Sequence, residues 1–281
     1  MIIGHQNIRA RLRENFTKHA YAQSLLFVGP ESVGKYAVAL EYASLMLGGD
    51  AVHHADCMVL EPPVEVIKGI SKIRDISIES VQDALHFLDR YPFSAQHKVL
   101  IIRDAHRMTE SAQNAMLKIV EEPPSYACII FITHTMKKIL PTLLSRCQKI
   151  LFTFLDGSEM SQMDGESKNT FLLQLGRPGL LVQHKQGGKS FAQKLDRVET
   201  LMQSSKLPLR KRLDVAEQCA KNTGETIELL SFWLGALHVQ NMHECSEDTL
   251  LLMEKIENAR LKLIASPSSA RLILDAFLLH L

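Results

Sequence analysis

Tryptophan occurs once in the 281 residues, and cysteine only five times, at Cys57, Cys128, Cys147, Cys219 and Cys245. Thiols this scattered, and odd in number, suit a reducing cytosol and free buried sulfurs better than a disulfide framework. Charge of one sign is lacking too: 32 Lys and Arg stand against 31 Asp and Glu, a formal +1. With no global basic field, any contact with nucleic acid has to be local or shared with other chains. No apolar run is long enough to span a bilayer. The opening MIIGHQNIRARL has no basic segment followed by an apolar one, so no signal peptide is expected there. Internal repeats and low-complexity tracts are missing as well. The hydrophobic share, 46%, is ample for buried cores. The length suggests about two domains at roughly 150 residues each.

What is present centres on the stretch LLFVGPESVGKY at 25–36. It reads as a buried strand at 25–28, a Gly-Pro turn, and a loop opening into a helix at 36–47. Gly29, then Gly34-Lys35 after four residues, fit a phosphate-cradling loop. Glycines let backbone N–H groups approach phosphate oxygens, the lysine adds a point charge, and a helix N-terminus favours an anion. The pattern calls next for Ser or Thr, whose short hydroxyl ligates Mg²⁺. This chain has Tyr36, whose hydroxyl sits at the far end of a ring.

The remaining elements alternate. A helix is expected over 7–19, and a short strand at 58–60 ends at Pro62-Pro63. Apolar residues at helical spacing over 70–88 (Ile73, Ile76, Ile78, Val81, Ala84, Leu85, Leu88) place at least one amphipathic helix there. The run at 99–102 suggests a strand buried on both faces. It ends in Arg103-Asp104, where phosphate-loop ATPases place an acid that holds Mg²⁺ and usually a Glu that activates water. Only Asp104 is acidic, and an Asp at a strand end can equally be a helix N-cap. A helix over 109–122, with Thr109 as cap, stops at Pro123-Pro124. A strand at 127–133, a short helix at 142–146 and a strand at 148–154 follow. Five short apolar strands alternating with helices indicate a parallel α/β sheet. Its ligands belong beyond the carboxyl ends of the strands, where the phosphate loop, Asp104 and Thr133 would gather. From 194 onward only helical stripes appear, and they read as core. The tail at 270–281 is apolar nearly all round, which suggests a helix buried among others.

Residues 53–57 bring together His53, His54, Asp56 and Cys57. Zinc ligands usually come as two paired clusters, and no second cluster follows, so zinc is not expected.

Taken in order, Gly4-His5-Gln6, His19-Ala20-Tyr21, GPESVGK at 29–35, KVLIIRDAHRM at 98–108, AQNAMLKIVEEPP at 112–124 and PTLLSRCQ at 141–148 resemble the bacterial DNA-polymerase clamp-loader subunits. Within that family the resemblance is strongest to the delta-prime type of DNA polymerase III. Tyr36, Arg103-Asp104 in place of an Asp-Glu pair, and Gly-Arg-Pro-Gly at 176–179 separate it from the ATP-hydrolysing gamma/tau type. In active subunits that last segment carries an arginine sensing the γ-phosphate; here its position is Gly179, with Arg177 two residues away. The family's four-cysteine zinc module is reduced to His54-Ala55-Asp56-Cys57.

The resemblance implies an AAA+ α/β parallel-sheet domain over 1–155, a small helical lid over 156–194 and an all-α collar for oligomerisation over 195–281. It implies a pentameric ring that opens a sliding clamp and closes it on primer–template DNA, as part of a DNA-directed DNA polymerase holoenzyme. The partners would be gamma/tau, delta, the clamp and, through the assembly, DNA. The resemblance gives Arg146 of the Ser-Arg-Cys motif the role of an arginine finger acting in trans on a neighbour's ATP; a pairing with an acid at its own helix end is the alternative. Gly29, Gly34, Lys35 and Thr133, the last at a sensor position, would form a degenerate nucleotide site. No cofactor is required on this reading, only weak ATP or phosphate binding. The alternatives are a working ATPase of the gamma/tau type and an interaction protein that has kept only the scaffold. The basic pairs and triplets Lys137-Lys138 and Arg210-Lys211-Arg212 serve as DNA contacts or as solvated faces.

Overall fold

In the computed structural model, residues 4–67, 70–155, 159–160, 176–179, 200, 208–220, 223–243, 246–266 and 269–279 are described. They fall into two compact units, Met1–Thr153 and Phe154–Leu281. Most of the expected lid at 156–194 lies outside the described residues.

The first unit alternates strands and helices: α1 (Gln6–Thr17), β1 (Ser24–Val28), α2 (Lys35–Leu47), β2 (Cys57–Leu60), β3 (Val64–Ile67), β4 (Ile70–Ile73), α3 (Ile78–Asp89), β5 (Lys98–Ile102), α4 (Glu110–Glu121), β6 (Ala127–Thr133), α5 (Pro141–Leu144) and β7 (Gln148–Leu151). The sheet order is β2-β5-β6-β1-β7, and every pairing is parallel. Strands β1, β5 and β6 are buried along their whole length, as helices on both faces of a parallel sheet require. Leu26, Leu100, Ile102, Ile129 and Phe131 join Val81, Ala84, Leu88, Ala112 and Met116 of α3 and α4 in one core. Each large side chain so buried contributes about 1.5–3 kcal/mol. The register pairs Val28 with Thr133 and Ile102 with Phe131, so β1, β5 and β6 finish close together. That common edge carries the phosphate loop, Arg103-Asp104 and Thr133-His134.

Helix boundaries follow local chemistry. Ser77 accepts from the Ser80 N–H at 3.4 Å to start α3, and Thr109 accepts from the Ala112 N–H at 3.2 Å to start α4. Gly48, with φ 69°, closes α2. Two expectations need correction. The helical periodicity read over 70–88 holds only from Ile78; β4 (Ile70–Ile73) instead pairs antiparallel with β3 (Val64–Ile67) as a separate hairpin. The Val-x-Val-Ile run at 64–67 gives that hairpin its other strand, and helical spacing is ambiguous over so short a stretch. Asp104 stands at the N-cap of a 3₁₀ turn (Ala105–Arg107), yet its side chain caps nothing, and its backbone is left-handed, φ 48°.

The second unit is helical where described: α6 (Leu209–Ala220), α7 (Thr223–His243), α8 (Glu247–Ala265) and α9 (Ala270–Leu279). Ala216, Leu230, Trp233, Ile256, Leu263, Leu274 and Phe277 form its core. Trp233 meets Phe277 edge-on with centroids 5.9 Å apart. The tail helix is less enclosed than its composition suggests, because Leu272 and Leu279 are exposed. Among the described residues no helix is long and apolar enough to cross a membrane.

Candidate functional site: a phosphate loop with its metal positions refilled

The loop between β1 and α2 is held from three sides. A Cβ on Gly29 would lie 2.3 Å from the Phe152 carbonyl oxygen, so no larger residue fits where the chain after β7 passes. Ser32 and Gly34 take positive φ, 61° and 103°, and curl the loop onto the start of α2. His5, buried, bonds the Val33 carbonyl through Nε2 at 2.9 Å and packs edge-on against Phe152. A carbonyl only accepts, so Nε2 carries the proton. This strap explains the Gly4-His5-Gln6 motif; its spacing gave no sign that residue 5 would reach residue 33. Lys35 is buried and donates to the carbonyls of Gly29, at 2.6 Å, and of Pro30. Its ammonium braces the loop's own backbone.

Tyr36, where the loop pattern calls for a short hydroxyl, and Arg103, at the end of β5, touch each other. The Arg103 guanidinium carbon lies 4.4 Å from the centroid of the Tyr36 ring, a cation–π contact. Arg103 also pairs with Glu61, just beyond β2. Burial pushes the Tyr36 phenol up, against the opposing pull of Arg103. A hydroxyl and a carboxylate are the ligands Mg²⁺ takes. A phenol ring under a guanidinium offers neither, and adds a fixed positive charge. These residues do not fit the metal that the loop pattern implies.

Thr133, at the end of β6, is buried. Its hydroxyl donates to the Thr135 carbonyl at 2.7 Å and accepts from the Thr135 N–H at 3.1 Å. It also meets His106 Nδ1 at 3.3 Å. Burial holds His106 down to about 4, helped by the neighbouring His134. The structure thus brings Gly29, Gly34, Lys35 and Thr133 to one sheet edge, with the Gly29 N–H donating to the Thr133 carbonyl at 3.3 Å. It commits the lysine and the threonine to internal bonds.

Arg146 lies just past α5. Its Nε donates to Glu121 Oε1 at 2.6 Å, Nη2 pairs with the same carboxylate, and Nη1 donates to the Thr142 carbonyl at 2.8 Å. The side chain keeps 36% exposure. Glu121 is the last residue of α4 and opens the Glu-Glu-Pro-Pro sequence. Cys147 beside it is buried, which pushes its thiol up to about 12.

In the second unit, Arg177 is buried. Its guanidinium carbon lies 5.2 Å from the Phe154 ring centroid and 5.4 Å from that of Phe232, and it donates to the Ser231 carbonyl at 3.4 Å. Gly235 leaves room for it: a Cβ there would stand 3.0 Å from its Nη2. The basic residues Lys137, Lys138, Arg210 and Lys211 are exposed.

The residues at 53–57 serve the fold. Asp56 is wholly buried. It accepts from the backbone N–H groups of Phe93, Ser94 and Ala95 at 2.6, 2.8 and 3.0 Å. Burial opposes its ionisation, and these bonds outweigh burial and hold it at about 2. Burial alone pushes Cys57 up to about 11.

Residues 4–156 match the protein family described as DNA polymerase III, delta subunit. The chain is 29% identical over 164 residues to the DNA polymerase III subunit tau of Bacillus subtilis, covering 54% of this chain and 28% of that protein. It is 28% identical over 137 residues to the DNA polymerase III subunit delta' of Pseudomonas aeruginosa, covering 45% and 42%. Less than half of either relative's length is therefore spanned. A solved structure of a gamma subunit-related protein from Thermotoga maritima is similar at TM-score 0.49 and 18% identity, over 95% of this chain and 99% of that one. Since the family match takes in more than half of the 281 residues, including the whole parallel sheet with its phosphate loop, the chain belongs to the family described as DNA polymerase III, delta subunit.

Proposed function

We propose that this chain is a delta-prime-like clamp-loader subunit that does not hydrolyse ATP and lends Arg146 to the ATP site of a neighbouring subunit. The observation that supports this reading is the Arg103–Tyr36 contact, which sets a cation against the ring where the loop pattern calls for a metal-ligating hydroxyl. Hydrolysis in phosphate-loop enzymes depends on Mg²⁺ to neutralise developing charge. A pocket that repels the ion has lost that contribution.

Arg146 supports the second half of the proposal. A guanidinium is always charged and presents several donors in a planar fork. Here it is partly exposed and is aligned by Glu121 and the Thr142 carbonyl. Exchanging Glu121 for a neighbour's γ-phosphate replaces one anionic partner by a stronger one. Fingers of this kind contribute on the order of 10³–10⁵ in rate. The partners are gamma/tau and delta subunits, the sliding clamp and, through the ring, primer–template DNA. The exposed Leu250, Leu251, Leu261, Ile264 and Leu272 on α8 and α9 give the helical unit apolar surface for a collar.

Two measurements test this. The isolated chain is expected to show no Lys35-dependent ATP turnover, judged against Lys35→Ala. In a reconstituted loader, Arg146→Ala is expected to depress clamp loading and DNA-stimulated ATPase. Brisk turnover by the isolated chain favours the gamma/tau reading, to which the tau similarity lends weight. An unaffected Arg146→Ala loader sinks the finger.

A further inference from the structure

A group at the same sheet edge is used by neither the phosphate loop nor the finger. Asp104, His106 and His134 each bring one possible ligand atom to within 4.8 Å of the others. Asp104 leaves β5 in a left-handed conformation that costs a non-glycine residue about 1 kcal/mol. Its carboxylate makes no cap bond to the turn that follows. The two imidazole rings stand edge to face, with centroids 4.0 Å apart.

The hydrogen bonds fix which nitrogen of each ring is bare. The Thr133 hydroxyl spends its single proton on the Thr135 carbonyl, so toward His106 it can only accept. His106 Nδ1 therefore carries the proton, and Nε2 keeps its lone pair. His134 Nδ1 lies 3.0 Å from a Glu31 carboxylate oxygen, which also only accepts. Its Nε2 is bare for the same reason. An outer acceptor on one nitrogen, leaving the other free, is how metal-binding histidines are oriented.

We propose that Asp104, His106 and His134 form a binding site for a borderline divalent transition ion such as Zn²⁺ or Co²⁺, with Glu31 and Thr133 positioning the two imidazoles. Two imidazoles and one carboxylate suit such ions better than Mg²⁺, which takes an all-oxygen octahedron. Three protein ligands leave a fourth position for water. Ligand atoms around a tetrahedral ion bonded at roughly 2.0–2.2 Å stand about 3.3 Å apart. The widest separation in the group, up to 4.8 Å, must thus close by about 1.5 Å, which the exposed His134 and half-exposed Asp104 allow. Burial lowers both histidines below their usual value. The bound ion would tie the ends of β5 and β6 to Glu31 of the phosphate loop. The site adjoins the phosphate loop, sharing Thr133 with it and lying within the influence of Lys35, but a metal titration without nucleotide tests it apart from hydrolysis and from Arg146.

The test is a Co²⁺ titration of the full chain, followed by visible absorption and by calorimetry, with Zn²⁺ as competitor. The expected result is one Co²⁺ per chain in a tetrahedral-type spectrum, bleached by Zn²⁺. His134→Ala and Asp104→Asn, both at the surface of the group, should each weaken binding at least 10-fold. Glu31→Gln should weaken it less, and a His53→Ala, His54→Ala pair should leave it unchanged. Absence of stoichiometric binding overturns the proposal. So does binding indifferent to both His134→Ala and Asp104→Asn, or binding lost only in the His53, His54 pair.

Discussion

The guanidinium of Arg103 lies 4.4 Å from the centre of the Tyr36 ring, so the residue after the phosphate-loop lysine and the residue after β5 meet face to face. On the reading proposed above, these two positions answer to those that share a magnesium ion in a working pocket. Here each fills the space the other would need cleared.

Reversing both residues tests that account. We expect ATP affinity of the native chain, measured by calorimetry or fluorescence, to be unchanged within error when Mg²⁺ is added. Tyr36→Ser with Arg103→Asp should make whatever binding exists Mg²⁺-dependent. Tyr36→Ser alone should not, because the Arg103 charge remains, and Glu61 alone is its carboxylate partner among the described residues.

Arg146 should tolerate no substitute at its tip. Arg146→Lys keeps the charge and loses the fork that grips Glu121 and the Thr142 carbonyl together. We expect it to behave like Arg146→Ala in the loader ATPase. Glu121→Gln should change the stability of the isolated chain by less than about 1 kcal/mol, since the pair is solvent-accessible. A loader that runs normally with Arg146→Lys would show that charge alone suffices.

Asp56 gives the first unit a pH signature. Its folded-state value, about 2, lies below the ordinary 3.8. A depressed carboxylate stabilises the fold above its unfolded pKa and loses that contribution as pH falls through the folded one. The shift corresponds to about 2 kcal/mol, present at pH 5 and above and lost between about pH 4 and pH 2. In urea titrations Asp56→Asn should be less stable than the native chain by about that amount at pH 7. The gap should narrow on acidification toward pH 2. A gap that is constant with pH would assign the loss to shape and not to charge.

Gly29→Ala should destabilise by about 1–3 kcal/mol, because the added methyl meets the Phe152 backbone, which has no flexible end to yield. Differential scanning calorimetry would show a lowered melting temperature. A neutral result would mean that the segment after β7 can move aside.

The parallel sheet was legible in the sequence because its strands are short continuous apolar runs ended by glycine, proline or charge. The strand at 127–133 was placed without error, and α4 to within a residue at each end. The hairpin of β3 and β4 was not legible, since four-residue runs carry no period that excludes a helix. At the site, Lys35 and Tyr36 were visible from local spacing. The strap from His5 to Val33 and the group of Asp104, His106 and His134 were not. His5 lies 28 positions from Val33, and Asp104 and His106 meet His134 only because β5 lies beside β6 in the sheet. That Asp104 would leave its own turn uncapped is likewise a matter of backbone handedness, to which residue identity gives no clue.

Magnesium can be chelated, diluted or exchanged, and a pocket that depends on it follows the composition of its surroundings. The Arg103 side chain is bonded to the backbone and cannot be washed out. The local field beside Tyr36 is thus written into the gene, and it stays the same in a starved cell and a fed one.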